Sequence, residues 1–473
     1  MLGSRAGAGY RAARCGRRAH RRRGLVSMGR PSRSRHLSLW ANGVRVGRWS
    51  WLARGEMELR YDDSWVNDPR GRPLSLSLPF NLHGQALKGE SVFNYFDNLL
   101  PDSEAIRRRA AERFVTGSVD PFNLLKAIGR DCVGALQILG EDETPEGVDR
   151  LEGVPLSEED IERHLVEAVM PKAFGAGHDS DDDFRISLAG AQEKTAFLRH
   201  EGQWLVPRGA TPTTHIFKLP LGLVGSRKAD MSTSVDNEWL CLRLMRAYGL
   251  NATLADIMTF GQQRVLVVER FDRRPSSDGT WLLRLMQEDF CQVTGCSPLK
   301  KYETDGGPGL ETLFSILNAS QNAQEDKRTL LASQILFWLL RAPDGHAKNF
   351  SIELLPRGRF KLTPLYDVMS AYPVMGPGPD QFAPQKVKLA MGLSGKNRHY
   401  TMNSIQRRHF NSTARKVGYG QDAEELIGQI LERTPLAIAE VHAELPVGFS
   451  QKVADTVLGG LSEAADALAA MAP

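Results

Sequence analysis

The chain has 473 residues, 41% of them apolar and 25% charged. That is more than one core of roughly 250–300 residues usually serves, so two or three packed regions are expected, and the composition excludes a disordered or fibrous protein. The net charge of +4 is misleading, because the first 35 residues carry eleven Arg, no Lys and no acid; the remaining 49 basic and 56 acidic residues leave a body near −7, with no electrostatic case for binding nucleic acid.

The basic tail, residues 1–35, has no apolar stretch and is not a secretory signal. It fits a mitochondrial presequence or an upstream extension ahead of a true start at Met28; the second is preferred, since the rest of the chain looks bacterial. From Leu37 alternating apolar residues flank the turn Asn42-Gly43, a hairpin signal. Ser103-Glu104 caps a helix running to Phe114, and Gly129 closes another, so residues 36–140 read as an N-terminal α+β subdomain. Residues 141–183 are acidic, with one helix opening at Ser157 and the run Asp179 to Asp183, and read as a linker. Residues 184–290 then give strands at Phe184–Ser187, Thr195–Leu198, Trp204–Val206 and Thr214–Lys218. A helix from Asn237 to Tyr248 and a strand pair at Ile257–Phe260 and Arg264–Phe271 follow, the order of a kinase upper lobe. Residues 291–473 are mainly helical. The apolar run Leu330–Leu340 is too short for the ~20 residues of a membrane span and reads as a buried helix of a cytoplasmic protein. The cysteines, Cys15, Cys132, Cys241, Cys291 and Cys296, lack zinc-site spacing and read as reduced thiols.

Chemistry concentrates after that apolar run, in Asp344-Gly345-His346-Ala347-Lys348-Asn349. Asp344 and Asn349 have the separation of the Asp and Asn in a protein-kinase catalytic loop, where one accepts the substrate hydroxyl's proton and the other ligates a metal. A strand-like stretch then delivers Asp367, in the position of the kinase aspartate that bridges magnesium to the phosphates of ATP. Each residue alone has a plain structural reading, a turn or a helix cap; their order along the chain favours function. Upstream, Lys218 stands on an apolar strand and can hold phosphates, with Glu238 on the next helix as its partner; alone it would read as a lysine snorkelling to water. The segment Ala189-Gly190-Ala191-Gln192-Glu193-Lys194-Thr195 lies between strands and can cover phosphates, though it is no Walker motif. Glu269 and Phe271 end the last upper-lobe strand, where backbone groups either bind adenine or merely complete a buried strand. His346 reads as a turn or core histidine with a place beside the nucleotide, and Lys348 can reach the transferring phosphate.

These segments, with Asn94-Tyr95-Phe96-Asp97-Asn98-Leu99-Leu100-Pro101-Asp102, Gln287-Glu288-Asp289 and Lys301-Tyr302-Glu303-Thr304-Asp305-Gly306-Gly307-Pro308-Gly309, occur in an order that resembles the HipA family, the kinase toxins of bacterial HipBA-type toxin–antitoxin modules. The resemblance spans residues 37–440 and implies an α+β, protein-kinase-like two-lobed fold related to the phosphoinositide 3-/4-kinases, with a small N-terminal subdomain and a mostly helical C-terminal lobe. It implies a serine/threonine protein kinase using ATP and Mg2+, with Asp344 as catalytic base, Asn349 and Asp367 as metal ligands and Lys218 as the phosphate-binding lysine. It further implies autophosphorylation at Ser187 as an off-switch, since a phosphate of about −2 charge beside acidic metal ligands is repelled. A small helix-turn-helix antitoxin (HipB-like), through it operator DNA, and a protein substrate such as an aminoacyl-tRNA synthetase are the implied partners. Phe217, Leu188 and the Arg341-Ala342-Pro343 approach to Asp344 depart from the family's usual pattern. The alternatives are a small-molecule kinase of similar fold and a non-catalytic co-repressor that assists a DNA-binding antitoxin.

Overall fold

The computed structural model describes residues 34–473 except 82, 170–186, 191, 226 and 227. The tail to residue 33, the acidic run from Asp179, residues 184–186 of an expected strand and Ala191 lie outside the described residues; Ser187, the last of that strand, is not in one.

Asn42 and Gly43 take φ of 48° and 77°, the left-handed pair that suits the twist of a two-residue hairpin. They join β1 (Arg35–Ala41) to β2 (Val44–Trp51). With β3 (Met57–Tyr61), β4 (Leu87–Lys88) and β5 (Leu136–Gly140) these strands form an antiparallel sheet in the order β4-β3-β2-β1-β5. The short α1 (Asp63–Val66) follows β3. Helices α2 (Glu90–Asp97), α3 (Glu104–Arg113) and α4 (Pro121–Ile128) come between β4 and β5. Ser103 caps α3 by accepting the Ile106 N–H, and Asp120 caps α4 ahead of Pro121. Trp49 of β2 stacks on Phe96 with ring centroids 3.8 Å apart and meets Phe122 at 4.9 Å, which seats α2 and α4 on the sheet.

The second sheet contains β6 (Gly153–Pro155), β7 (Lys194–His200), β8 (Gln203–Pro207), β9 (His215–Lys218), β12 (Ala255–Phe260) and β13 (Gln263–Glu269), ordered β12-β13-β9-β7-β8-β6. Between β9 and β12 come the small pair β10 (Leu223–Val224) and β11 (Ala229–Asp230), then α6 (Ser234–Ala247), which starts three residues before the expected Asn237. Helix α5 (Glu158–Val169) places Ile161 and Leu165 in one buried cluster with Phe197, Trp204 and Phe217. Residues 153–169, read from composition as part of a linker, therefore supply an edge strand and a covering helix to this sheet. Only a narrow stripe of α5 is apolar, so the acidic face dominates its sequence.

The C-terminal half opens with the hairpin β14 (Arg273–Pro275) and β15 (Leu282–Arg284). Strands β16 (Gln287–Asp289), β17 (Ser351–Leu354) and β18 (Phe360–Leu362) form a three-stranded sheet in that order, with α7 (Phe290–Val293), α8 (Leu310–Leu317) and α9 (Ala323–Leu339) lying between β16 and β17. A hairpin that the sequence reading did not foresee, β19 (Lys388–Ser394) with β20 (Arg398–Thr401), precedes α10 (Arg407–Lys416), α11 (Glu424–Ala443) and α12 (Gln451–Ala470). Helix α9 carries the Leu330–Leu340 run and is buried on every side from Thr329 onward. Among the described residues no helix is long and apolar enough to cross a membrane.

The N-terminal region is joined to the rest through buried polar groups. Glu288 on β16 is fully buried; its Oε1 accepts the Leu76 N–H at 2.8 Å, while Oε2 has no partner among the described residues. Burial pushes its carboxyl up to about 8. A folded-state pKa above the unfolded value contributes stability that is complete below the unfolded pKa of about 4.5 and disappears as pH rises toward 8. Urea unfolding of Glu288→Gln, which cannot ionise, should therefore gain on wild type by about 2–4 kcal/mol between roughly pH 5 and pH 8. Parallel pH profiles for the two proteins would contradict a protonated Glu288.

Candidate active site

Strand β9 ends in Lys218, nine-tenths buried, whose Nζ lies 2.6 Å from Oε1 of Glu238 on α6 and also touches Oδ1 of Asp367. Burial alone would discharge this lysine; the two carboxylates outweigh it and hold its pKa well above the usual lysine range. Burial pushes Glu238 up, whereas the more exposed Asp367 is kept ionised by Lys218 and Lys194 against its own desolvation. Asp367 occupies the left-handed region at φ 56°, an uncommon conformation for a residue with a side chain, of the kind that collects at functional sites. The expected Lys218–Glu238 pair is present, and Asp367 completes it.

The Asp344 loop is built against the end of α9. Arg341 reverses the chain at φ 50°, and the Ala342 N–H returns to the Phe337 carbonyl at 2.8 Å. Gly345 is required by space, since a Cβ there would lie 2.3 Å from the Phe337 ring. Asn349 Nδ2 donates to the Asp344 carbonyl at 2.8 Å, which closes the loop and leaves its Oδ1 without a donor among the described residues. The Tyr302 hydroxyl donates to Asp344 Oδ1, and the Asp344 side chain stays 42% exposed. Lys301 and His346 both sit within electrostatic range of Asp344 and Asp367, so the fold brings the two aspartates to one place. Tyr366 ties the strings together: its hydroxyl shares a hydrogen bond with Ser351 at 2.6 Å and donates to the Lys348 carbonyl at 3.0 Å.

His346 is buried edge-on to Tyr302 at 4.9 Å, with Nε2 3.6 Å from Asp344 Oδ1 and no hydrogen-bond partner for either ring nitrogen among the described residues. Burial pushes its pKa down to about 4, leaving a neutral ring with a nitrogen open to a ligand. Lys348 corrects its expected role. Its ammonium donates to the Asn98 carbonyl at 2.8 Å and pairs with Asp102 at 3.2 Å, so it faces the N-terminal region and not a phosphate.

The loop from Ser187 to Lys194 is fastened to that same region. Gly190, at φ 111°, gives its carbonyl to the Asp102 N–H at 3.0 Å, Glu193 pairs with Arg109 of α3, and Lys194 Nζ reaches back to the Ala189 carbonyl. Lys194 pairs in register with Lys218, and burial pulls it down to about 8 while Asp367 opposes. Gln192 Nε2 donates to the Leu219 carbonyl, and Thr195 lies buried on β7. Ser187 is completely buried, with its hydroxyl on the Leu99 carbonyl at 2.8 Å. At the end of β13 the backbone of Glu269 is already used, its N–H by Leu254 and its carbonyl by Thr253 Oγ1; the Phe271 N–H has no acceptor among the described residues. The Phe271 ring meets Tyr366 at 5.8 Å.

The donor set fits magnesium. Asn349 Oδ1 and the ionised Asp367 are hard oxygen ligands, and magnesium characteristically takes one or two such groups with phosphate oxygens and water. No cluster of three or more His, Cys, Asp or Glu able to hold a metal occurs among the described residues.

Two residues that the sequence reading quoted but gave no role are central. Asp102 takes Lys301 at 2.9 Å and Lys348 at 3.2 Å, and its N–H holds Gly190. Tyr302 holds Asp344. Both lie in the long strings that carried the resemblance, which was the available signal.

A family model described as HipA N-terminal domain matches residues 37–139, and one described as HipA-like C-terminal domain matches 186–438. The chain is 31% identical over 414 residues to Y4mE of Sinorhizobium fredii, covering 86% of this chain and 92% of that one. It is 27% identical over 428 residues to the serine/threonine-protein kinase toxin HipA of Shewanella oneidensis, covering 87% of this chain and 90% of that one. The solved HipA of Shewanella oneidensis MR-1, in complex with HipB and its operator DNA, superposes with a TM-score of 0.73 at 24% identity, covering 92% of this chain and 97% of that one; the likeness is one of fold.

Asp102 has its carboxyl held down to about 2 by Lys348 and Lys301 despite burial, a difference on the order of 2 kcal/mol. Its contribution is present above the unfolded pKa near 3.8 and lost as pH falls through about 2. Asp102→Ala should lower the unfolding free energy at neutral pH by about 2–4 kcal/mol, because two lysines lose their partner, and should speed tryptic cleavage after Lys194. Unchanged stability and cleavage would show that the tie carries no load.

Proposed function

This chain belongs to the HipA family, and from that premise we propose that it is an ATP- and magnesium-dependent kinase that phosphorylates serine or threonine of a protein. One observation carries the reading: Lys218 spans Glu238 and Asp367, and Asp367 and Asp344 both act on Lys301 and His346. Lys218, kept charged, would exchange Asp367 for nucleotide phosphates. Asp344 has one oxygen fixed by Tyr302 and a partly exposed side chain, so its other oxygen can take the acceptor hydroxyl's proton. The Asn349 amide is oriented by the Asp344 carbonyl, which aims Oδ1 away from the loop. Phe271 N–H, Gly190, Gln192 and His346 would contact the nucleotide. Magnesium, held by Asn349 and Asp367 when bound, would neutralise the charge of the phosphates.

The loop at Ser187 would act as an off-switch. Its hydroxyl is buried against Leu99, and its N–H meets the Asp131 carbonyl at 3.3 Å. A phosphate there would bring about −2 charge and three further oxygens into a fully buried site with no room for them, which favours expulsion of the loop. The protein would work in the cytoplasm as a growth-arresting toxin on a translation component such as an aminoacyl-tRNA synthetase. Its silencing partner would be a HipB-like antitoxin bound to operator DNA. The solved relative's complex with HipB and operator DNA supports that partner.

Incubation with labelled ATP and magnesium, followed by phosphosite mapping, should label Ser187 and lysate proteins; Asp344→Gln and Asp367→Asn should each cut labelling by about 100-fold or more. Label confined to small molecules would favour the small-molecule kinase, and no transfer at all the co-repressor. Expressed in a bacterium, Ser187→Ala should arrest growth no less than wild type, and weaker arrest would sink the off-switch.

A further inference from the structure

Helix α7 ends in a turn whose geometry joins two cysteines. Gly295, at φ 67°, donates its N–H to the Gln292 carbonyl at 3.0 Å, and Cys296 donates its N–H to the Cys291 carbonyl at 2.7 Å. This nested pair of bonds closes a helix C-terminus and packs the side chain three positions before its cap against the one two positions after it, commonly an apolar pair. Here both positions are cysteine, so the turn sets the two thiols side by side, and each is the largest influence on the other's ionisation. Cys291 is fully buried and Cys296 partly exposed, with its Sγ also against the Lys300 carbonyl at 3.5 Å. The neighbouring Cys291 draws the Cys296 thiol down to about 7, so a substantial fraction of it is thiolate near neutrality, while Cys291 itself is pushed well up and stays protonated. Cys132 and Cys241, by contrast, are buried with thiols pushed up to about 12.

We propose that Cys291 and Cys296 form a redox modification site that closes to an intramolecular disulfide on exposure to a peroxide and reopens with thiol reductant. The Cys296 thiolate attacks a peroxide oxygen, the O–O bond breaks, and a sulfenic acid and hydroxide form. The Cys291 thiol then attacks that sulfur, expelling water, so two thiols and one hydrogen peroxide give one disulfide and two waters. Cysteines set side by side by one helix-ending turn need only a local approach to the ~2.05 Å bond.

The turn is placed where the catalytic loop would feel that approach. Its Gly295 and Cys296 carbonyls accept Asn94 Nδ2 at 2.8 Å and Asn98 Nδ2 at 2.9 Å, and the Asn98 carbonyl holds Lys348. Pulling Cys296 inward loosens Asn98 and withdraws the thiol from Lys300, beside Lys301 and Tyr302. Closure therefore slows phosphoryl transfer, a consequence that rests on the proposed kinase reading, while the disulfide itself does not.

Both cysteines fall in one tryptic peptide, residues 285–300. After treatment of the full-length protein with hydrogen peroxide, that peptide should lose two hydrogens and both alkylatable thiols, and dithiothreitol should restore them. Cys291→Ser and Cys296→Ser should each abolish the linkage. Oxidation of Cys296 to sulfinic acid without a linkage, or no reaction at either sulfur, overturns the site. In the same samples ATP labelling by wild type should fall at least about fivefold and recover with dithiothreitol, whereas Cys296→Ser should keep its rate through the treatment. A linked peptide with unchanged labelling overturns the coupling to catalysis, and an unlabelled reduced protein reports failure of the kinase reading instead.

Discussion

A single buried carboxylate fixes how the N-terminal region meets the six-stranded sheet and the β14–β15 hairpin. Asp131 receives Arg273 at 2.9 Å, Arg284 at 3.0 Å and Arg270 at 3.3 Å, along with the Thr213 hydroxyl at 2.7 Å, and all five side chains are more than nine-tenths buried. Asp272, equally buried, pairs with Arg270 and accepts the Gly134 N–H. Desolvating so many charges costs several kcal/mol each and is tolerated only when every group is paired. Three guanidiniums converging on one carboxylate permit little variation in geometry, so the cluster acts more as a register between regions than as a source of net stability. Asp131 also presents its own carbonyl to the Ser187 N–H, which extends that register to the loop over the site.

From this fixed junction the N-terminal region reaches into the candidate active site. Asp102 sits where three separate segments meet, the Gly190 loop, the Lys301-Tyr302 string and the Asp344 loop through Lys348. Arg109 adds a second hold on the Gly190 loop through Glu193. The small subdomain is thus part of the site's support, and the hydrogen bonds of Asn94 and Asn98 to the turn after α7 follow the same route. The charges are graded by burial. Lys218 and Glu238 are nearly inaccessible, Asp367 is partly open, and Asp344 is the most exposed. That order suits the proposed roles, since a pair that positions phosphate needs a dry setting and a base must meet an outside hydroxyl.

The sequence by itself determined the local features. The Asn42-Gly43 hairpin, the Ser103 cap, the buried apolar helix and the order Lys218, Asp344, Asn349, Asp367 were all legible, because turn chemistry, capping, periodicity and spacing act over a few residues. Only the tertiary structure decided what faces what. Lys348 has the composition of a phosphate-binding lysine, yet the placement of Asn98 and Asp102, some 250 residues earlier in the chain, turns it toward the N-terminal region. Residues 153–169 look like a linker because one acidic face hides the apolar contact that Ile161 and Leu165, flanked by Leu156 and Ala168, make with the sheet. Tyr302 and Asp102 could be quoted as unusual strings but given no task, since a role made of contacts across the chain leaves no local pattern. Long-range packing, not composition, selects the partner of each charge, and in a buried site the partner determines what the charge can do.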